Sequence, residues 1–155
     1  VTGDADHPLI LFDGECSLCN GFVQFVIRRD PGARFRFAAL GSEVARLALD
    51  AAGVRDALPD SIVLVTPGRA RTRSAAALAI LRGLGRLWPL SSVFLVVPRP
   101  VRDWVYDWIA RNRIRWFGRR QTCWVPTPEL RARFADADER LASSDEAEAD
   151  QAGER

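Results

Sequence analysis

The chain has no methionine and no lysine, one histidine, one tyrosine and only three cysteines among its 155 residues. Three cysteines are too few, and odd in number, for a scaffold stapled by disulfides. No apolar run, Val93 to Val97 included, approaches the roughly 18 residues that a membrane-spanning helix needs. The segment before Leu9 has neither a basic region nor an apolar stretch, so no secretion signal is visible and a reducing cytosol is the expected compartment. With lysine absent, all 22 basic residues are arginine. This arginine and alanine richness reads as a coding bias with little functional weight.

Apolar residues supply 48 % of the chain, enough for one independently folding core and not comfortably two. The net charge of +2 is unevenly spread. From Asp136 onward eight acidic residues face only Arg140 and Arg155, which leaves an excess of eight positive charges on the rest. Residues 136–155 carry few apolar groups and are expected to form a solvated, disordered acidic tail. Residues 1–8 are expected to be a flexible N-terminus, residues 9–87 the core, and residues 88–135 a helical extension packed on it.

Pro8-Leu-Ile-Leu-Phe12 reads as a short strand buried on both faces. Ser17 to Arg29 places Leu18, Phe22, Phe25 and Val26 at helical spacing, and Asp30-Pro31-Gly32 ends it. Arg34 to Ala38 alternates like a strand, and Ser42 can cap a helix running to Gly53. Ser61 to Val65 is a third strand, turned by Thr66-Pro67-Gly68 into a fourth over Arg69 to Arg73. Ser74 then reads as the cap of an alanine- and leucine-rich helix. The order is β-α-β-α-β-β-α, which a mixed four-stranded sheet with helices on its faces satisfies. By pattern alone this thioredoxin-like core is one α/β option among several. Beyond it, Trp88 to Val97 is expected as a helix ended by Pro98 and Pro100. Val101, Trp104, Val105 and Trp108 mark a further helix with one apolar face.

The position of Cys16 and Cys19 makes the choice among these folds. Cys16 follows the first buried strand and opens the first helix, where free backbone amides and the positive end of the helix dipole favour a thiolate. Two intervening residues in a first helical turn bring the second sulfur within disulfide reach. Cys16, nearer the helix end and solvent, is the expected attacking thiol; Cys19, deeper in the helix, the resolving one. A CxxC pair at a strand-to-helix junction therefore points to thiol–disulfide exchange with protein or small-molecule thiols, with no cofactor required.

Asp13-Gly-Glu-Cys16-Ser-Leu-Cys19 resembles the signature of the DCC family, named for Asp-x-x-Cys-x-x-Cys and regarded as thioredoxin-like thiol–disulfide oxidoreductases. The resemblance continues through Asp60 to Val65, Arg73 to Ala76, Leu81 to Gly85, Trp88, Arg102-Asp103, Tyr106, Ala110 to Arg113, Trp116 to Gly118 and Cys123. Ile114 departs from it, standing where relatives carry an aromatic. The resemblance makes Asp13 the third motif residue. Its carboxylate could accept the Cys19 proton, or close an Asx turn on the amides of Glu15 or Cys16, and the two roles are compatible. Pro59 lies near where such folds place a cis-proline opposite the cysteines, making Pro59 and Ser61 candidate substrate-facing residues. The alternative is that Pro59 merely ends the loop after Leu58.

Two rival readings use other chemistry. Cys16, Cys19, Cys123 and His7 together would make a Cys3His zinc set, although no second closely spaced pair is present. Arg111, Arg113, Arg115, Arg119 and Arg120 crowd around Trp116 and Phe117, a composition that could grip nucleic acid or lie on an anionic membrane. The plainer expectation is a solvated arginine face over a tryptophan-filled core, with Cys123 a packed free thiol beside Trp124.

Overall fold

The computed structural model describes residues 7–54, 62–85, 93–119 and 127–138. Their elements are β1 (Leu9–Phe12), α1 (Ser17–Arg29), β2 (Arg36–Ala39), α2 (Glu43–Ala51), β3 (Val63–Thr66), β4 (Arg69–Thr72), α3 (Arg73–Gly83), α4 (Arg99–Phe117) and α5 (Pro128–Arg131). The strands form one sheet in the order β2-β1-β3-β4. β1 and β2 run parallel across α1, while β3 is antiparallel to both β1 and β4. This is the mixed four-stranded sheet of a thioredoxin-like fold.

Strand alternation sorts the core into two layers. Ile10, Phe12, Phe37 and Leu64 face α1 and α3, where they meet Val23, Val26, Ala76 and Ile80. Leu11, Ala38, Val63 and Val65 face the other way, onto Ala45 of α2. Ser42 Oγ accepts the Ala45 amide at 3.2 Å and so caps α2. The β3–β4 hairpin turns on Pro67-Gly68, with Gly68 at φ 68°, the conformation a tight turn needs there. Gly83, at the end of α3, lies directly under the buried Phe35 ring, so that a Cβ would overlap it.

Two local expectations are corrected, one at Ser74 and one at the tryptophans of α4. Ser74 is not the cap of α3; Thr72 is the N-cap residue, and the Ser74 hydroxyl donates to the Asp103 carboxylate of α4. Of the helix expected over Trp88 to Val97, residues 86–92 lie outside the described set, and of the rest only residues 93–95 are helical. The tryptophans of α4 do not fill a core: Trp104 is 63 % exposed, and Trp108, Trp116 and Phe117 are about half exposed.

The physical reason is that α4 packs by its polar face. Asp103 bonds Ser74, the Tyr106 hydroxyl accepts the Ile62 amide at 3.1 Å, and Arg113 is buried against α1. Asp103, Tyr106, Ala110 and Arg113 follow one another at three- or four-residue steps and so share a side of the helix. Val101, Trp104 and Trp108 occupy the opposite side, whereas Val105 lines a cavity against Leu78 and Leu81 of α3.

The C-terminal segment continues the sheet. Phe37 donates to Arg133 O at 2.9 Å and accepts from the Ala135 amide at 2.8 Å, a short parallel bridge along β2. Phe134 packs on Phe12 and Phe37, and Arg133 pairs with buried Asp30 at 2.6 Å. Asp136, counted by composition with the acidic tail, is buried and accepts the Ala39 amide at 2.7 Å. Residues 139–155 lie outside the described set. Among the described residues no helix is long and apolar enough to cross a membrane.

Candidate active site

The site is built where β1 ends and α1 begins. Phe12 anchors the strand in the core, and residues 13–16 turn the chain into the helix. The Asp13 carboxylate closes this turn by accepting the Glu15 amide at 3.0 Å, and Asp13 O accepts the Cys16 amide at 3.3 Å. The Asx-turn role expected for Asp13 is therefore present. Asn20, one turn into α1, is buried and donates its side-chain amide to Gly14 O at 2.8 Å, tying the loop back to the helix.

Cys16 is the N-cap residue of α1, with extended backbone at φ −81° and ψ 117° and no side-chain cap bond. Its carbonyl accepts the Asn20 amide at 3.0 Å, so its sulfur stands at the amide-rich end of the helix. Cys19 lies one turn in, close to Cys16, and both thiols are free. The expectation of an accessible Cys16 is corrected, since Cys16 is only 1 % exposed and Cys19 only 4 %. Cover comes from the chain after α4. Gly118, at φ 73° and ψ 173°, redirects the backbone so that Arg119 forms an antiparallel bridge with Cys16. Across this bridge the exposed Glu15 and Arg119 side chains approach to 3.7 Å.

Sequence reasoning missed Arg113 as part of this site. Its Nη2 lies 3.0 Å from Asp13 Oδ2, and its Nη1 donates to Cys19 Sγ at 3.6 Å. The resemblance had singled out Ala110 to Arg113, yet the arginine-rich surroundings assigned Arg113 to a solvated face. Instead its side chain is 6 % exposed, placed by α4 against the first turn of α1.

Burial pushes the Cys19 thiol up to about 12. After burial, the neighbouring Cys16 contributes to this rise through its charge and a side-chain hydrogen bond, while Arg113 and a backbone hydrogen bond at Asp13 oppose it. Cys19 is thus held as a neutral thiol at physiological pH, beside a cation able to stabilise the thiolate when it forms.

Among the described residues no group of three or more His, Cys, Asp or Glu side chains is placed to hold a metal ion. His7 precedes β1 and contacts Arg34 O at 3.3 Å, whereas the cysteines follow the far end of that strand. Pro59, Ser61, Cys123 and Arg120 lie outside the described residues. The β3 start that follows Ser61 is held to α4 through Ile62 and Tyr106.

Residues 10–119 match the family model of DCC1-like thiol-disulfide oxidoreductases. An uncharacterized protein of Bacillus subtilis, YuxK, is 44 % identical over 128 residues, covering 83 % of this chain and 93 % of that protein. The chloroplastic DCC family protein At1g52590 of Arabidopsis thaliana is 39 % identical over 118 residues, covering 76 % of this chain and 69 % of that protein. No solved structure matches the chain.

Proposed function

We propose that this chain, which belongs to the DCC1-like thiol-disulfide oxidoreductase family, exchanges disulfides through Cys16 as the attacking and Cys19 as the resolving thiol. The observation that carries the assignment is the asymmetry between the two sulfurs. Cys16 caps the helix, and Cys19 sits inside it as a neutral thiol facing Arg113. In the reducing direction the Cys16 thiolate attacks a substrate disulfide, forming a mixed disulfide and expelling one substrate thiolate. Cys19 then loses its proton and attacks the Cys16 sulfur, releasing the second substrate thiolate. The protein is left with a Cys16–Cys19 disulfide and two electrons have passed to the substrate. The oxidising direction is the same sequence reversed.

Arg113 supplies the positive charge that the Cys19 thiolate needs at the resolving step. Asp13 shares Arg113 with Cys19, which makes its carboxylate the candidate acceptor of the Cys19 proton. Protein or small-molecule thiols and disulfides are the substrate class. Pro59 and Ser61 remain candidates for contacting them, on their place just before β3.

The test is equilibration of the chain across glutathione redox buffers, with free thiols trapped by alkylation and the peptide containing both cysteines weighed. One two-electron transition between roughly −300 and −120 mV is expected, with its value setting the direction of exchange. Cys16→Ser should abolish mixed-disulfide formation, and Cys19→Ser should trap it. A pair that stays reduced across the whole range would overturn the assignment.

The outward aromatic face of α4 favours a second reading, a binding surface. Exposed Trp104, Trp108 and Trp116 lie beside exposed Arg111, Arg115 and Arg119, a combination suited to an anionic membrane surface or to nucleic acid. Such binding would weaken steeply with salt and survive Cys16→Ser.

A further inference from the structure

Away from the cysteines, β4, α3, Leu95 and the start of α4 line an open cavity of about 480 Å³. Its walls are Arg71, Arg82, Arg99 and Arg102, its floor includes Ala75 and Leu78, and among the described residues no acidic side chain lines it. Arg71 pairs in register with Leu64, which belongs to the layer under α3, so Arg71 leans over the sheet edge toward that helix. A smaller hollow beside it is shared by Arg71 and Arg99 with Arg69, Arg73 and Asp103.

The nearby carboxylates are already engaged. Asp103 accepts the Ser74 hydroxyl, and Asp107 lies 3.3 Å from Arg73 Nε. Among the described residues Arg71, Arg99 and Arg102 form no ion pair, and the Nε of Arg102 is buried without a hydrogen-bond partner. Arg71, Arg99 and Arg102, gathered around one concavity, repel one another, and an unpartnered buried donor adds to the cost. The positive end of the 19-residue α4 dipole stands at the same place. An anion relieves all three at once.

We propose that this cavity binds a small molecule carrying two or more phosphate groups. Guanidinium forks match phosphate oxygens two at a time, so several arginines select a ligand with several phosphates. The volume falls within the roughly 300–1,000 Å³ typical of small-molecule sites, and the apolar floor leaves room for an uncharged portion. Arg99 and Arg113 stand about 21 Å apart along α4 at 1.5 Å per residue, so the site is separate from the dithiol.

The test is calorimetric titration of the full chain with inorganic pyrophosphate and with adenosine diphosphate, without magnesium, at about 0.1 M salt. One saturable site is expected, and Arg99→Gln and Arg71→Gln should each weaken it about tenfold or more. Arg99 is exposed, so its variant should melt like the parent. Equal affinity for the two probes would assign a free phosphate anion, and tighter binding of the diphosphate nucleoside would assign a nucleotide. The double variant Arg28→Gln, Arg29→Gln, at the exposed end of α1, should bind like the parent. Absence of saturable heat up to about 5 mM of either probe would overturn the proposal. So would an equal loss in the Arg28/Arg29 variant, which would reduce the effect to general attraction by a basic surface.

Discussion

Arg113 and Cys19, 94 positions apart in the chain, meet at 3.6 Å between guanidinium and sulfur, and the same guanidinium holds Asp13 at 3.0 Å. One buried cation thus ties the first and last residues of the Asp-x-x-Cys-x-x-Cys motif to a helix that follows the sheet.

Arg113→Gln should leave the Asp13 carboxylate unpaired and remove the cation facing Cys19. A stability loss of about 3 kcal/mol is expected, at the low end for a broken buried pair because Asp13 is partly exposed. The reduced dithiol loses the guanidinium hydrogen bond to the Cys19 sulfur, so its reduction potential should become more negative. Arg113→Lys should restore part of the potential but less of the stability, since a point charge cannot span both partners. Denaturant melts and glutathione titrations of the three proteins check this. An unchanged potential in Arg113→Gln would remove Arg113 from the redox chemistry.

The elevated Cys19 thiol couples stability to alkaline pH. In the unfolded chain Cys19 ionises near the ordinary value of 9.0, whereas in the fold it holds its proton up to about 12. Above pH 9 the unfolded state therefore binds fewer protons than the native one, and stability falls as pH rises. Its contribution is complete below pH 9 and is lost progressively toward pH 12. Melting temperatures of the reduced protein across this window should fall more steeply than those of Cys19→Ala. Parallel curves would contradict the assigned shift.

Gly118 sits at φ 73° and ψ 173°, a region essentially reserved for glycine. Gly118→Ala should cost about 1–3 kcal/mol and loosen the Arg119 bridge that covers Cys16. Alkylation of Cys16 by iodoacetamide should accelerate accordingly. If the rate is unchanged while stability drops, the bridge does not govern access to the thiol.

Phe134 fills the space between Phe12 and Phe37, beyond the helices that complete the minimal fold. Phe134→Ala should destabilise the chain by about 3–5 kcal/mol, as for a core aromatic. Removing residues from 139 onward should leave the melting transition close to that of the parent, whereas removal from Asp136 should expose the Ala39 amide and lower it.

What the sequence by itself determined was local. Hydrophobic periodicity and turn residues placed β1, α1, the β3–β4 hairpin and α2 with its Ser42 cap, because each depends on neighbours within a few positions. The same holds for Cys16 at the head of α1 and for the Asp13 turn, whose partners lie two or three residues away. Tertiary structure decided what lies far apart. An arginine among arginines has no local mark of burial, so only the docking of α4 singled out Arg113. The apolar stripe of α4 predicted an inward tryptophan face, yet bonds from Asp103, Tyr106 and Arg113 to partners on other elements oriented the helix the other way. Asp136 belongs to an acidic run by composition and to the core by contact, because the amide it satisfies is 97 residues distant.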